Sequence, residues 1–475
     1  MDKQNEEKDG KIESLTSISS KDLLTTIYDI NRAIFRHLPI RSVDSSSLVC
    51  QSWAHIARLT KAHRHTIHTL TYPSNLSSSR TTSIFRHLPI RSVDSSSLVC
   101  QSWAHIARLT KAHRHTIHTL TYPSNLSSSR TTCSYYVSDF NTVISSYIND
   151  NLWSLPSLAL VVVTNVLDRK GFISPSNSPP PTKTSKRSRS QTTATQTELN
   201  IPQALIRHFN KSCKILQVAS NGIVVSNDEN QSYEIESDSA MGILLFPKLP
   251  SNVLGIYPFE IPYTTKISAD MSRSDMHHLF GCVPDDIPIR CIIFFFTQRQ
   301  SHSVDCIKKL LEYYPSNVAI IGGFVNKIRY NDRQSQFKPS LYNTSGIVLT
   351  GDPNHLNIKQ ILLESHIDTR EGVKDKLKQL KSIESNRCLS FAIQVSCVAR
   401  GSDFYNGEKN VECTEFRNLF PKTPLIGIFG NGELGHDHLL NDNQISTQEQ
   451  INTKKNITDI IHAYSTVFSL ITLRM

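Results

Sequence analysis

The sequence predicts an α+β / α/β chain. A small three-helix module at the amino terminus, partly duplicated, precedes a large two-part α/β domain. Three observations predict this. Residues 34–82 recur without change as residues 84–132, and each copy carries short apolar helical stripes. A Ser/Pro/Thr-rich basic stretch interrupts the chain at 174–199. Beyond it, β-branched runs alternate with amphipathic segments, the grammar of strands and crossover helices.

The 475 residues allow two or three domains. The first 19 read as a disordered, charged tail without the apolar core of a secretory leader. The ten cysteines are scattered, with no Cys-x-x-Cys pair, which suits reduced thiols in a cytoplasmic or nuclear protein. The longest apolar runs, Leu158 to Val163 and Cys291 to Phe296, are too short to cross a bilayer and read as buried strands, so no membrane partner is expected. The net charge of +10 does not point to nucleic acid. The second copy of the duplicated segment holds six basic residues against Asp94, and Lys183, Lys186, Arg187 and Arg189 lie in the Ser/Pro stretch. Little excess charge remains for the globular part.

In the amino-terminal module (20–70), Leu23, Ile27, Ile30, Ile34 and Leu38 form one helical stripe, with Ser19 or Ser20 able to cap it. Pro39 ends this helix. Ser42 caps a second helix from Val43, and Trp53 opens a third with Ile56 and Leu59 on one face. So small a unit leaves apolar surface uncovered, which suggests a standing partner. The second copy (83–120) follows Pro73 and a polar run, Ser74 to Ser83, and lacks the lead-in to its first helix. Repeats in folded arrays drift at surface positions, so identity over this length means either a very recent exon duplication or an error in gene assembly. His63, His65 and His68 have no cysteine or carboxylate near them in sequence and read as a basic helix end. No metal is expected.

The run IFRHLPIRSVDSSSLVCQSW, from Ile34 to Trp53, resembles an F-box: Leu-Pro, then Val-Cys, then Trp three residues after the Cys. The resemblance implies docking on a Skp-family adaptor held by a cullin, through Leu38, Pro39, Val43, Leu48, Val49 and Trp53. Their counterparts in the second copy are Leu88, Pro89, Val93, Leu98, Val99 and Trp103.

In the large domain, expected as 134–349 and 350–475, strands are read at Leu158–Thr164, Lys214–Ala219, Gly222–Ser226, Met241–Phe246, Arg290–Thr297, Val318–Ile321, Gly346–Leu349, Leu389–Cys397, Leu425–Phe429 and near Ala463–Leu470. Helices are read at Gln203–Phe209, Val304–Tyr314 and Val373–Leu380. Two strand ends can carry chemistry: Cys397, Arg400 and Gly401, and the turn Gly430, Gly432 and Glu433. Such ends are where α/β sheets hold ligands. Arg400 and Glu433 could bind a small zwitterion or carboxylate, or they could pair with each other, with the glycines serving a tight turn. A catalytic Cys397 would need a base, and His436 and His438 are the nearest imidazoles in sequence. Gly430, Gly432 and Gly435 fit a dinucleotide fingerprint only if a helix opens at Gly435, and His436 to Asn443 reads as loop. No cofactor is expected.

The Cys-x-x-Arg-Gly strand end, the Gly-x-Phe-x-x-Gly-Glu-x-Gly turn from Gly427 to Gly435, and Gly322-Gly323 after its strand resemble the FIST domain. This is a family of ligand-sensing modules that in animals follows an F-box. The two resemblances together imply a non-catalytic substrate receptor of a ubiquitin ligase, acting on bound proteins through proximity. The alternatives are a ligand-sensing module without ligase activity, for which a bound small ligand is the mark, and a thiol enzyme.

Overall fold

The computed structural model describes residues 117–122, 137–152, 156–173, 198–199, 201–209, 212–226, 231–297, 301–314, 318–331, 344–381, 388–439 and 459–474. The F-box-like region and its Leu38, Pro39, Val43, Leu48, Val49 and Trp53 lie outside these residues, as does the Ser/Pro stretch as far as residue 197.

In chain order the elements are β1 (His118–Tyr122), α1 (Val137–Asn151), β2 (Pro156–Thr164), α2 (Asn165–Lys170), β3 (Phe172–Ile173), β4 (Glu198–Leu199), α3 (Ile201–Leu205), β5 (Lys214–Ser220), β6 (Gly222–Ser226), β7 (Ser232–Ile235) and β8 (Met241–Pro247). There follow β9 (Gly255–Ile261), α4 (Arg273–Leu279), β10 (Ile289–Phe296), α5 (Ser301–Tyr313), β11 (Ala319–Phe324), β12 (Lys327–Asn331) and β13 (Thr344–Thr350). The last group is β14 (Leu356–Leu363), α6 (Arg370–Leu377), β15 (Cys388–Cys397), α7 (Val411–Leu419), β16 (Leu425–Gly430), β17 (Glu433–Leu434), β18 (Ile461–His462) and β19 (Thr466–Arg474). The mixed α+β class stands.

Three large sheets share one plan. Their strand orders are β1-β8-β2-β5-β12, β9-β13-β10-β11-β17-β18 and β14-β19-β15-β16-β6-β7. At the heart of each is one parallel pair, β2/β5, β10/β11 or β15/β16. Antiparallel strands flank it on both sides. The chain therefore repeats one unit three times: edge strand, helix, inner strand, one or more helices, second inner strand, a strand that leaves, and a strand that returns.

The strand that leaves pairs with another unit. β6 joins β16, β12 joins β5, and β17 joins β11. Each unit gives one strand and receives one, so the exchange closes on itself. The registers agree: Ile223 faces Ile428, Ile328 faces Val218, and Glu433 faces Gly323. Asn221, Asn326 and Asn431 occupy the three equivalent turns, evenly spaced along the chain, and Asn221 Nδ2 donates to Asn431 Oδ1 (2.9 Å).

Side-chain alternation decides which face goes where. Leu158, Leu160 and Val162 of β2 turn to a central core shared by all three sheets, together with Ile293 and Phe295 of β10 and Phe391, Ile393 and Val395 of β15. The intervening Ala159, Val161 and Val163 face α1 and α3 in a separate outer core. The other two sheets are likewise covered outside by α4 and α5 and by α6 and α7. Helix starts are set locally. At α4 the Ser272 hydroxyl accepts from Asp275 N (3.1 Å) while the Asp275 carboxylate accepts from Ser272 N (2.8 Å), a reciprocal cap. The exchanged β12 is pinned to the first unit by Asp168 of α2, which accepts from Arg329 and, at 2.7 Å, from Gln217.

Three expectations change. The region read as two parts is built as three units. The boundary read at 349/350 matches only the passage from the second unit to the third, because the strands that leave disguise the repeat. His118–Leu120, assigned to the second helical copy, begin edge strand β1, where the Tyr147 hydroxyl donates to the Thr119 carbonyl (2.7 Å). Glu198–Leu199, assigned to the linker, pair with Phe172–Ile173.

Gly432 has φ +124°, a region essentially reserved for glycine. Gly432→Ala should lower stability by about 1–3 kcal/mol, read as a fall in the urea midpoint at unchanged slope.

Candidate functional site

The two strand ends singled out in the sequence come together in the third unit. β15 ends at Cys397, whose amide donates to the Ser465 carbonyl (2.9 Å). β17 brings Glu433 to the same place, where its Oε1 accepts from the Ser465 amide (2.7 Å) and hydroxyl (2.5 Å). Its Oε2 is buried without a hydrogen-bond partner. Burial raises the carboxyl pKa of Glu433, and the Ser465 hydrogen bonds oppose that only in part. Burial also raises the Cys397 thiol, and the neighbouring Glu433 carboxylate adds to the shift. A thiol held protonated beside a carboxylate is not an activated nucleophile.

Comparison of the three units shows how unusual Glu433 is. The equivalent positions in β6 and β12 are Ile223 and Ile328, both in the central core. Leu434 beside it faces the outer core, as Val224 does, so Glu433 points inward like the isoleucines. Burying an isoleucine contributes about 1.5–3 kcal/mol. A carboxyl there forgoes that term and adds a desolvation cost. Ser465 adds a hydroxyl in the same place: the first unit has Ala240 there and Thr164 at the position of Cys397, with Thr164 N donating to Ala240 O (3.0 Å). A buried carboxyl where the equivalent strands carry isoleucine departs from the local packing rule, the kind of departure expected at functional or strained sites.

Arg400 does not pair with Glu433. It is fully buried and meets Glu412 of α7, Nε to Oε1 at 2.8 Å. It also donates to the Tyr405 hydroxyl (2.6 Å) and to the carbonyls of Ile367 (3.0 Å), Glu364 (3.1 Å) and Tyr464 (3.3 Å). Glu412 accepts in addition from Tyr405 (2.7 Å), Thr466 (3.0 Å), Gln394 (3.0 Å) and Ser396 (3.2 Å). Every donor of the guanidinium is directed at protein, so Arg400 clamps loops and leaves no fork for a carboxylate ligand. The sequence missed Glu412 because its spacing from Arg400 carries no motif.

The glycines serve close packing. A Cβ on Gly401 would lie 2.1 Å from the Glu236 carboxylate, which accepts from the Ser402 amide at 2.9 Å. The Gly430–Gly432 turn is occupied by backbone: Phe324 N donates to Gly432 O (3.0 Å) and Asn431 N to Phe324 O (2.8 Å). No helix opens at Gly435, where the chain continues irregularly from residue 435 to 437, so the dinucleotide fingerprint lacks its context. His436 and His438 are buried with their rings edge-to-face, and the charged side chain that acts on the thiol is the Glu433 carboxyl. Among the described residues no cluster of three or more metal-ligating side chains occurs, and no helix is long and apolar enough to cross a membrane.

Beside this cluster, Glu234 turns its carboxyl onto the Cys413 amide (2.9 Å). Burial, and then the Glu412 carboxylate, raise its pKa to about 8.

No protein-family model matches the chain. Two curated proteins are similar: F-box only protein 22 of Homo sapiens and that of Pongo abelii. Each is 26% identical over 284 residues, covering 58% of this chain and 68% of the relative. These matches support a relationship to F-box only proteins, a group that serves in general as ligase adaptors. Among solved structures, a cyanuric acid hydrolase from A. caulinodans is similar at a TM-score of 0.33 and 8% identity, over 76% of this chain and 99% of that one. That TM-score is too low to place the chain in its fold.

Two outcomes are expected. Arg400→Leu should cost about 3–5 kcal/mol, because it strands Glu412 in the interior; the double change with Glu412→Leu should recover part of the loss, measured by denaturant unfolding of the four-member cycle. Because the Glu234 pKa is raised in the folded state, that state holds a proton the unfolded chain has released. Stability should therefore fall as pH rises from about 4.5 to about 8, and Glu234→Gln should flatten the slope in this window.

Proposed function

We propose that this chain is the substrate-recognition subunit of an SCF-type ubiquitin ligase. In this reading the F-box-like segment docks on a Skp-family adaptor held by a cullin, through Leu38, Pro39, Val43, Leu48, Val49 and Trp53. The three-unit α/β domain holds the protein to be ubiquitinated, which is then degraded by the proteasome. The observation that carries the reading is the similarity to F-box only protein 22 over 284 residues, joined to the Leu-Pro, Val-Cys and Trp pattern of the amino-terminal segment.

The chemistry is proximity. Holding a lysine-bearing protein near the charged ubiquitin enzyme raises its effective concentration, and no side chain of this subunit forms or breaks a bond. The protonated Cys397 thiol and the fully engaged Arg400 accord with that non-catalytic role. A cytoplasmic and nuclear location belongs to the same reading.

The test is co-expression with a Skp-family adaptor. The parent chain should co-purify with it. A variant carrying Leu38→Ala, Pro39→Ala, Leu88→Ala and Pro89→Ala should fold and lose the adaptor, while Cys397→Ala should leave ubiquitination of a bound protein unchanged. A folded parent chain that captures no adaptor sinks the proposal and moves the ligand-sensing reading to first place.

A further inference from the structure

We infer that the loops clamped by Arg400 form the docking surface for an extended segment of a partner protein, one that sets an apolar side chain between lysines or arginines. This inference rests on the receptor reading and names the chemistry of what the receptor holds.

The large apolar side chains most exposed among the described residues are Tyr464 (59%), Tyr263 (54%) and Val398 (43%). Two of the three lie together. Val398 follows Cys397 at the end of β15, and Cys397 N donates to the Ser465 carbonyl, next to Tyr464. Tyr464 has φ +60°, a left-handed conformation unusual for a bulky residue, and such backbone persists only where its surroundings enforce it. The enforcing group is Arg400. Its guanidinium ties the Tyr464 carbonyl to those of Glu364 and Ile367 and stacks on Phe404 at 4.4 Å. A strained, exposed tyrosine on a rigid base has the character of an interface anchor.

Charge identifies the occupant. The three segments fastened here are 364–368, 398–403 and 459–464. Their exposed ionic side chains are Glu364, Asp368, Asp403 and Asp459, and the only Lys or Arg among them is the buried Arg400. His366 and His462 are the titratable groups on the same segments, His366 lying 3.5 Å from Glu364. Arg370, just beyond, is held by Glu408 and Glu415. An apolar pair on segments whose exposed ionic side chains are carboxylates, in a chain of net charge +10, selects a basic, apolar segment and disfavours phosphate-bearing polymers and anionic lipid surfaces.

The experiment uses the full chain, with fluorescent nonapeptides as probes. One has a central Leu or Phe between pairs of lysines, a second has glutamates in place of the lysines, and a third has a central Ser. Only the first should bind, and more weakly as salt rises. Tyr464→Asn keeps a residue that tolerates left-handed backbone and should weaken binding about tenfold or more without lowering the melting temperature. Val398→Asp and the pair Glu364→Lys, Asp368→Lys should weaken it too. Equal binding of basic and acidic peptides overturns the inference, as does binding that is indifferent to Tyr464→Asn. If no peptide binds while the chain still co-purifies with its adaptor, the docking surface is overturned and the receptor reading stands. If the basic peptide binds as expected but no adaptor is captured, the surface is upheld and the ligase role falls.

Discussion

The second inner strand of each unit, β5, β11 or β16, has one edge paired to its parallel partner and the other turned outward with a row of amides and carbonyls. Those groups need partners, and in all three sheets the partner comes from a different unit. No unit can complete its own sheet. The closed exchange brings the inward faces of all three sheets onto one core, sets the three asparagine turns against one another, and carries Glu433 away from its own sheet to the seam beside Cys397. The candidate site is a product of the exchange, since it needs β15 from one sheet and β17 from another.

Within that frame the third unit carries a larger buried polar network than the Asp168, Gln217 and Arg329 cluster of the first. Its interior holds a connected polar network, Gln394, Ser396, Arg400, Tyr405, Glu412 and Thr466, at positions sealed from water. A buried pair of charges is weak evidence of stabilisation, because the cost of desolvation can match the attraction. Its value here is geometric. Five donors on one flat group fix the directions of several loops at once, and they hold Val398 and Tyr464 against the solvent instead of letting them fold inward.

Much of the scaffold was legible in the sequence. The inner strands announce themselves as nearly unbroken apolar runs, Leu158 to Val163, Cys291 to Phe296 and Leu425 to Phe429, because both of their faces are covered. Helix α5 shows its stripe at Val304, Ile307, Leu310 and Leu311. The edge strands were not legible. β9 contains Pro258, which argues against a strand unless it lies at an edge, and β14 alternates Asn357 and Lys359 with apolar residues. Helices α4 and α7 are short on periodic apolar residues and take their stability from packing, whereas α1 does carry a stripe, Phe140, Ile144 and Tyr147. The threefold repeat was hidden because its matching turns share little beyond Asn221, Asn326 and Asn431. Of the candidate residues, Cys397 and Glu433 are brought together. Arg400 is diverted to Glu412, a partner that only the tertiary structure can supply.

The direction of the exchange also has a temporal meaning. β6 is made early, yet its partner β16 lies about two hundred residues further on. At synthesis rates of about 5–20 residues per second, that strand waits roughly 10–40 s on the ribosome before its neighbour exists. Meanwhile β5 waits for β12, and β11 for β17. A chain that stops short of the third unit leaves the first sheet complete and β6 unclaimed, a bare edge of Ile223, Val224 and Val225. Termination between β12 and β16 therefore leaves the kind of unpaired strand edge that makes incomplete chains prone to association, and a finished molecule is distinguished from such a fragment by whether its first outgoing strand has been met.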